Sequence, residues 1–289
     1  MSAQVAEARA AAAPAPQTGA GIADHDGVWL AWHEYGEGDP ILMIMGFMGS
    51  GRAWYRLLPH LAGPSSPSPR RAVTMDNRGT GESDRPLGLW TMDDLAGDAL
   101  AVMDAAGLES AHVVGASMGG MIAQHLALDH PERVRSLTLA CTHPGGQPGG
   151  LPWRMLASLA LRPLFGPERT FPLVAPLLYS ERTRTRHRDR LAEDLYMRFQ
   201  DSTPAGTAPA QAAAIFGHDT RARLRELSMP VLVVHGAEDA LVPPSAAEEL
   251  ARLIPDARLE IIPRCGHILT TDAEEESAAA ILGFLGSLE

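Results

Sequence analysis

The chain has 289 residues, of which 45% are hydrophobic and 20% charged, and its net charge is −11. This composition is typical of a globular protein with a large core, and the length fits one α/β domain with an insertion. The negative charge argues against nucleic acid or an anionic membrane as the main partner. No apolar run reaches the roughly 18 residues that a membrane-spanning helix needs.

The first 21 residues are rich in alanine, proline and glycine, and they lack the basic start and apolar core of a secretory signal. We therefore expect residues 1–21 to form a flexible arm. Two cysteines, Cys141 and Cys265, are too few to cross-link a fold of this size, which favours a reduced, cytoplasmic environment. The eleven histidines are scattered without metal-ligand spacing, so we expect no metal and no cofactor.

Short apolar runs alternate with helical patterns along most of the chain. The runs predict strands at residues 28–35, 41–45, 72–75, 111–114, 134–140, 230–235 and 258–262. Between them, helical spacing predicts helices that include residues 54–61, 92–106, 246–253 and 272–285. Strands that alternate with helices predict a mostly parallel sheet covered on both faces.

The pattern changes between residues 145 and 219. This stretch contains helical pieces broken by prolines and no strand-like run. We interpret residues 145–219 as a helical insertion between two strands of one sheet, whose core comprises residues 22–144 and 220–289. The large apolar side chains of the insertion are expected to pack over the ends of the strands.

The segment Gly115-Ala116-Ser117-Met118-Gly119 joins a predicted strand to a predicted helix. A Gly-x-Ser-x-Gly turn of this kind holds its serine in a strained conformation above the sheet, and it has no room for a side chain at either glycine. The unpaired N–H groups at the start of the helix face any negative charge that develops there. A serine that merely caps the helix would give the same pattern.

Two further candidates follow later strands, namely Asp239 and His267. Because the carboxyl ends of parallel strands meet at one edge of a sheet, we expect both side chains to lie near Ser117. The order Ser, Asp, His along the chain is that of the α/β-hydrolase fold family. From about residue 21 to residue 289 the sequence resembles this family.

The resemblance implies an α/β fold with a mostly parallel sheet and an inserted helical lid. It implies that Ser117 is the nucleophile, that His267 takes its proton, and that Asp239 orients the imidazole. It also implies an oxyanion hole formed by the backbone N–H groups of Met118 and Phe47. Many relatives have a histidine where this chain has Met45, so a side chain that braces this loop is missing.

Several methionines lie near the predicted strand ends. Because methionine adapts to irregular apolar shapes, we expect a pocket for a bulky apolar small molecule, lined by Gly46, Met48, Met121 and Trp153. A small-molecule substrate is therefore the expected partner, and the oligomeric state stays open.

The function favoured by these residues is hydrolysis of a carboxylic ester, lactone or thioester through an acyl-enzyme on Ser117. Within the family, the sequence most resembles enol-lactone hydrolases and methyl-esterase-like enzymes of polyketide pathways. Four alternatives remain open on the same fold: C–C bond hydrolysis, a cofactor-free haloperoxidase or perhydrolase activity, a tailoring or cyclising role in natural-product biosynthesis, and a non-catalytic ligand receptor.

Overall fold

A computed structural model describes residues 15–64, 66–146, 152–200 and 206–289, without the side chain of Phe199. Eight strands form a single sheet in these ranges. They are β1 (Gln17–His25), β2 (Val28–Tyr35), β3 (Asp39–Ile44), β4 (Arg70–Met75), β5 (Ala111–Ala116), β6 (Val134–Ala140), β7 (Val231–Gly236) and β8 (Arg258–Ile262).

The strand order across the sheet is β1-β2-β4-β3-β5-β6-β7-β8. β1 pairs antiparallel with β2, and β2 with β4, whereas all the other neighbours are parallel. After β3 the chain passes to β4 on one side, and it then returns to add β5 on the other side. Ligands of open α/β sheets bind at such a reversal, outside the carboxyl ends of the strands.

Ten α-helices accompany the sheet in the described part of the chain. They are α1 (Leu58–Ala62), α2 (Met92–Ala105), α3 (Met118–Asp129), α4 (Trp153–Leu178), α5 (Glu181–Arg186), α6 (Arg188–Phe199), α7 (Thr207–Gly217), α8 (Ser245–Leu253), α9 (Leu269–Asp272) and α10 (Glu274–Gly286). The start of α2 has a capping box, because Thr91 Oγ1 accepts the N–H of Asp94 and the Asp94 carboxylate accepts the N–H of Thr91.

Apolar clusters cover both faces of the sheet. In β3, Leu42 and Ile44 face the cluster that contains α2, α3 and α8, while Ile41 and Met43 face the cluster that contains α1 and α10. A strand buried on both faces needs apolar residues at every position, which explains the unbroken apolar runs of the sequence. The mostly parallel sheet with helices on both sides confirms the predicted α/β-hydrolase fold.

The expected N-terminal arm is wrong for residues 17–21. These residues belong to β1, which pairs with β2 along its length, and residues 1–14 lie outside the described ranges. The strand was missed because its side chains are small and mostly exposed, so it lacks an apolar pattern. Gly21 leaves space for the Trp32 ring, which a Cβ at that position would contact closely.

The helices α4 to α7 lie between β6 and β7, in the segment predicted as an insertion; its residues 147–151 and 201–205 are outside the described ranges. The two ends of this segment meet, because Gly145 and Asp219 form a β-bridge and Thr220 N–H donates to Pro144 O at 2.8 Å. α4 bends at Gly166, which has a positive φ of 78°. Among the described residues, no helix is both long enough and apolar enough to cross a membrane.

Candidate active site

Ser117 occupies the sharp turn between β5 and α3. Its backbone has φ 54° and ψ −120°, a conformation that side-chain-bearing residues rarely adopt. Its N–H donates to Ala140 O at 2.8 Å, which ties the turn to β6. A Cβ at Gly115 would collide with Gly119 O, and a Cβ at Gly119 with Ile44 O. The strained turn and its two glycines are those of a nucleophile elbow.

Asp239 and His267 lie in the loops after β7 and β8. Backbone bonds join these loops, since Glu238 N–H donates to Cys265 O at 2.8 Å. Asp239 Oδ1 accepts the N–H groups of Leu241 (2.9 Å) and Val242 (2.8 Å). Its Oδ2 lies 2.7 Å from His267 Nδ1, so the imidazole keeps Nε2 for other contacts.

The Asp239 carboxylate stays ionised although it is buried. Burial alone would raise its pKa, but the charge of His267 and hydrogen bonds from His235 and His267 outweigh this effect and hold the pKa well below its usual range. His235 lies near the end of β7. Its Nε2 lies 3.3 Å from Asp239 Oδ2 and 2.9 Å from Val242 O, so it also contacts this carboxylate.

Ser117 and His267 line the same pocket. The hydrogen bonds of the described residues include none between Ser117 Oγ and His267. Catalytic hydrogen bonds often form only when a substrate is bound, so this geometry is compatible with proton transfer from Ser117 to His267.

The N–H groups of Met118 and Phe47 are both available near Ser117. Met118 is the first residue of α3, so its N–H has no partner within the helix. Phe47 follows Gly46 in the loop after β3, and its N–H makes no hydrogen bond with the described residues. This loop is close to the turn, because a Cβ at Gly46 would lie 2.9 Å from the Cβ of Ser117.

Two side chains that the sequence reasoning missed hold this loop. Gln211 of α7 is fully buried, and its Oε1 accepts the N–H of Met48 at 2.8 Å. Asn77 Nδ2 donates to Met45 O at 2.8 Å. They brace the loop in place of the side chain that Met45 does not provide. No local sequence pattern indicates either contact, because the partners are far apart in the chain; Gln211, for example, is 163 residues from Met48.

The pocket lies between the ends of the strands and the helices that follow β6. From the core it is lined by residues that include Gly46, Phe47, Met48, Ser117 and His267. From α4 to α6 it is lined by apolar side chains that include Met155, Leu159, Phe171, Val174, Leu178 and Leu195, and by Ser158, Arg162, Thr170, Tyr179 and Arg198. The pocket wall is thus mostly apolar, with a few polar groups.

Two of the expected pocket residues are wrong. Trp153 is 68% exposed and does not line the pocket, because it lies on the outer face of α4. Met121 points from α3 into the core and is buried there. Other apolar side chains of the helical segment also face outward, namely Leu156, Leu161, Leu164, Phe165 and Phe216. Apolar character alone did not reveal which face of each helix covers the strand ends.

The two cysteines are not candidates for the nucleophile. Burial raises the pKa of the Cys141 thiol, to which Asp239 also contributes, and burial likewise raises the pKa of the Cys265 thiol. Both thiols therefore stay protonated at neutral pH, and a protonated thiol is a poor nucleophile.

Comparisons with known proteins agree with this fold. Residues 39–273 match the model of the alpha/beta hydrolase fold family. The putative carbamate hydrolase RutD of Azorhizobium caulinodans is 30% identical over 262 residues, which cover 90% of this chain and 96% of that protein. The 2-hydroxymuconate semialdehyde hydrolase of Pseudomonas putida is 30% identical over 279 residues, covering 89% and 90%. A solved structure of a thermophilic esterase from Thermogutta terrifontis has a TM-score of 0.80 at 27% identity, over 95% of this chain and 99% of that chain.

The fold, the elbow and these similarities define a hydrolase of the α/β class. The chain belongs to the α/β hydrolase family, as its motifs indicate.

Proposed function

We propose that the protein is a serine hydrolase that cleaves an ester-type bond of a largely apolar small molecule through an acyl-enzyme on Ser117. The observation that carries this proposal is the position of Ser117 on a strained turn, on the wall of the pocket that His267 also lines. The hydrogen bond between His267 and Asp239 supports it.

The roles of the residues follow from the movement of one proton. His267 Nε2 takes the proton of Ser117 as Oγ attacks the carbonyl carbon, and Asp239 stabilises the imidazolium that forms. The N–H groups of Met118 and Phe47 donate hydrogen bonds to the oxyanion, and each such donor stabilises the transition state by about 3 kcal/mol. The imidazolium then protonates the leaving alkoxide, and water hydrolyses the acyl-enzyme by the same steps in reverse.

Carbon–carbon bond hydrolysis is the second candidate. The observation in its favour is the 30% identity to the 2-hydroxymuconate semialdehyde hydrolase. The rates of cleavage of an activated ester and of a vinylogous diketone acid distinguish the two candidates. An esterase cleaves the ester much faster than the diketone acid.

The test is hydrolysis of 4-nitrophenyl octanoate by the wild-type protein and by Ser117→Ala. We expect the wild-type protein to release 4-nitrophenol and the variant to lose this activity while its circular dichroism spectrum is retained. A variant that keeps activity within a few-fold of wild type would contradict the serine mechanism.

A further inference from the structure

Arg162 faces the pocket from the first half of α4. It shares one face of this helix with Met155, Ser158 and Leu159, since residues spaced by three, four and seven positions lie above one another. All four line the pocket, and Arg162 is half-buried there. Ser117 contributes to the same pocket from the end of β5, so the serine and the guanidinium belong to walls formed by different parts of the fold.

Within the described part of the chain, no carboxylate pairs with Arg162, and its guanidinium makes no hydrogen bond there. Arg198 also lines the pocket, but its Nε lies 2.6 Å from Asp194 Oδ2 and its charge is balanced. Burial lowers the pKa of Arg162, and no acidic group in the described ranges opposes that effect. Arginine nevertheless remains charged at neutral pH, so Arg162 gives this pocket a positive charge that no described residue compensates.

A half-buried charge without a partner is unfavourable, and a bound anion would remove this cost. The guanidinium is a planar fork that matches the two oxygens of a carboxylate. A phosphate dianion needs more donors than one arginine in a mostly apolar pocket provides. The chemistry of this wall therefore fits a molecule with an apolar body and one carboxylate.

We propose that the substrate cleaved at Ser117 carries a carboxylate group, separate from the scissile bond, and that Arg162 binds it. This inference rests on the proposed function, because Arg162 recognises a substrate only if Ser117 cleaves one. The structure thus narrows the substrate class from apolar esters to esters that bear a free carboxylate.

The kinetic test compares two esters that differ only in that group. 4-Nitrophenyl octanoate and mono(4-nitrophenyl) suberate have acyl chains of equal length, and only the second ends in a carboxylate. We expect Arg162→Gln to lower the ratio of kcat/KM for the suberate to that for the octanoate by about tenfold or more, as loss of a charged hydrogen bond does. Arg169→Gln is the matched control, because Arg169 lies exposed on the same helix and outside the pocket wall; it should keep the wild-type ratio. A ratio in Arg162→Gln within about twofold of wild type would overturn the proposal.

A binding test separates this inference from the proposed function. In the Ser117→Ala background, calorimetry measures binding of monomethyl esters of the diacids from succinate to sebacate, with the corresponding dimethyl esters as neutral references. We expect a monomethyl ester to bind more tightly than its dimethyl ester, and Arg162→Gln to weaken that binding by about tenfold or more. Absence of binding across the series, or equal binding with and without Arg162, would overturn the inference. If the wild-type protein cleaves neither nitrophenyl ester while this binding difference persists, the esterase proposal fails and the carboxylate site stands.

Discussion

The His267 Nδ1 atom lies 2.7 Å from Asp239 Oδ2, while the other oxygen of this carboxylate accepts two backbone N–H groups of its own turn. The carboxylate is therefore held independently of the imidazole that it orients. His235, near the end of β7, also contacts Asp239 Oδ2, which further restricts how the carboxylate can rotate. This arrangement favours the tautomer of His267 with the proton on Nδ1, in which Nε2 can accept a proton, as the proposed mechanism requires.

Replacing Asp239 tests this role directly. We expect Asp239→Asn to reduce kcat for 4-nitrophenyl octanoate by about 10⁴, because an amide favours the wrong imidazole tautomer and cannot stabilise the imidazolium. Glu238→Gln is the control, since Glu238 is the adjacent, exposed acid. A loss of less than about tenfold in Asp239→Asn would mean that this carboxylate does not orient the base.

Gly119 tests the packing of the elbow. Because a Cβ there would collide with the Ile44 carbonyl oxygen, we expect Gly119→Ala to lower the free energy of unfolding by about 2 kcal/mol or more, as measured in urea. Gly283 of α10 has open space around it, so Gly283→Ala should instead raise the free energy of unfolding by up to about 1 kcal/mol. Equal effects of the two substitutions would contradict the close approach of the elbow to β3.

Two buried histidines at the ends of the helical segment predict acid sensitivity. Burial lowers the pKa of His143 to about 4, with a contribution from His267, and lowers that of His218 to about 3. Unfolded histidine binds a proton near pH 6.5, whereas the folded chain resists protonation until these lower values, so acid below pH 6.5 favours the unfolded state. Each of these histidines can lower the free energy of unfolding by up to about 1.4 kcal/mol per pH unit as the pH falls.

Urea unfolding at pH 7 and pH 5 measures this effect. We expect His218→Asn to lose less stability than wild type over this interval, because the substituted side chain takes up no proton in the unfolded state. If the variant and the wild type lose the same free energy of unfolding between pH 7 and pH 5, folding does not hinder the protonation of His218.

The apolar wall formed by α4 predicts a preference for long acyl chains. We expect a higher kcat/KM for 4-nitrophenyl octanoate than for the acetate, since apolar contacts with the chain lower the energy of the transition state. Phe171 lines the pocket, so Phe171→Ala should reduce this preference, by about tenfold if the full side-chain contact is lost. The control Phe165→Ala changes a phenylalanine that is exposed on the same helix. If both variants keep the wild-type preference, the helical segment does not form the acyl site.

The sequence predicted the strands of the parallel part well, because their apolar runs report burial on both faces. The site at the strand ends followed from the same pattern, since Ser117, Asp239 and His267 each follow a strand. β1 could not be recognised, because the partly buried positions of this edge strand include the small residues Gly19 and Gly21, which give no apolar period.

Contacts between distant segments were beyond sequence reasoning. Gln211 contacts the loop at Met48 only because α7 returns to the strand ends, which no local pattern encodes. Trp153 and Arg162 belong to the same helix, and the sequence does not reveal which of them faces the pocket. In each case the tertiary packing decides the outcome.

Labelling with a fluorophosphonate probe tests the central claim most directly, because this reagent forms a stable bond only with an activated serine. After labelling, digestion and mass spectrometry identify the modified residue. We expect the probe on Ser117 in the wild-type protein, and no labelling in either Ser117→Ala or His267→Ala. A wild-type protein that remains unlabelled, or that carries the probe on another residue, would contradict the assignment of Ser117 as the nucleophile.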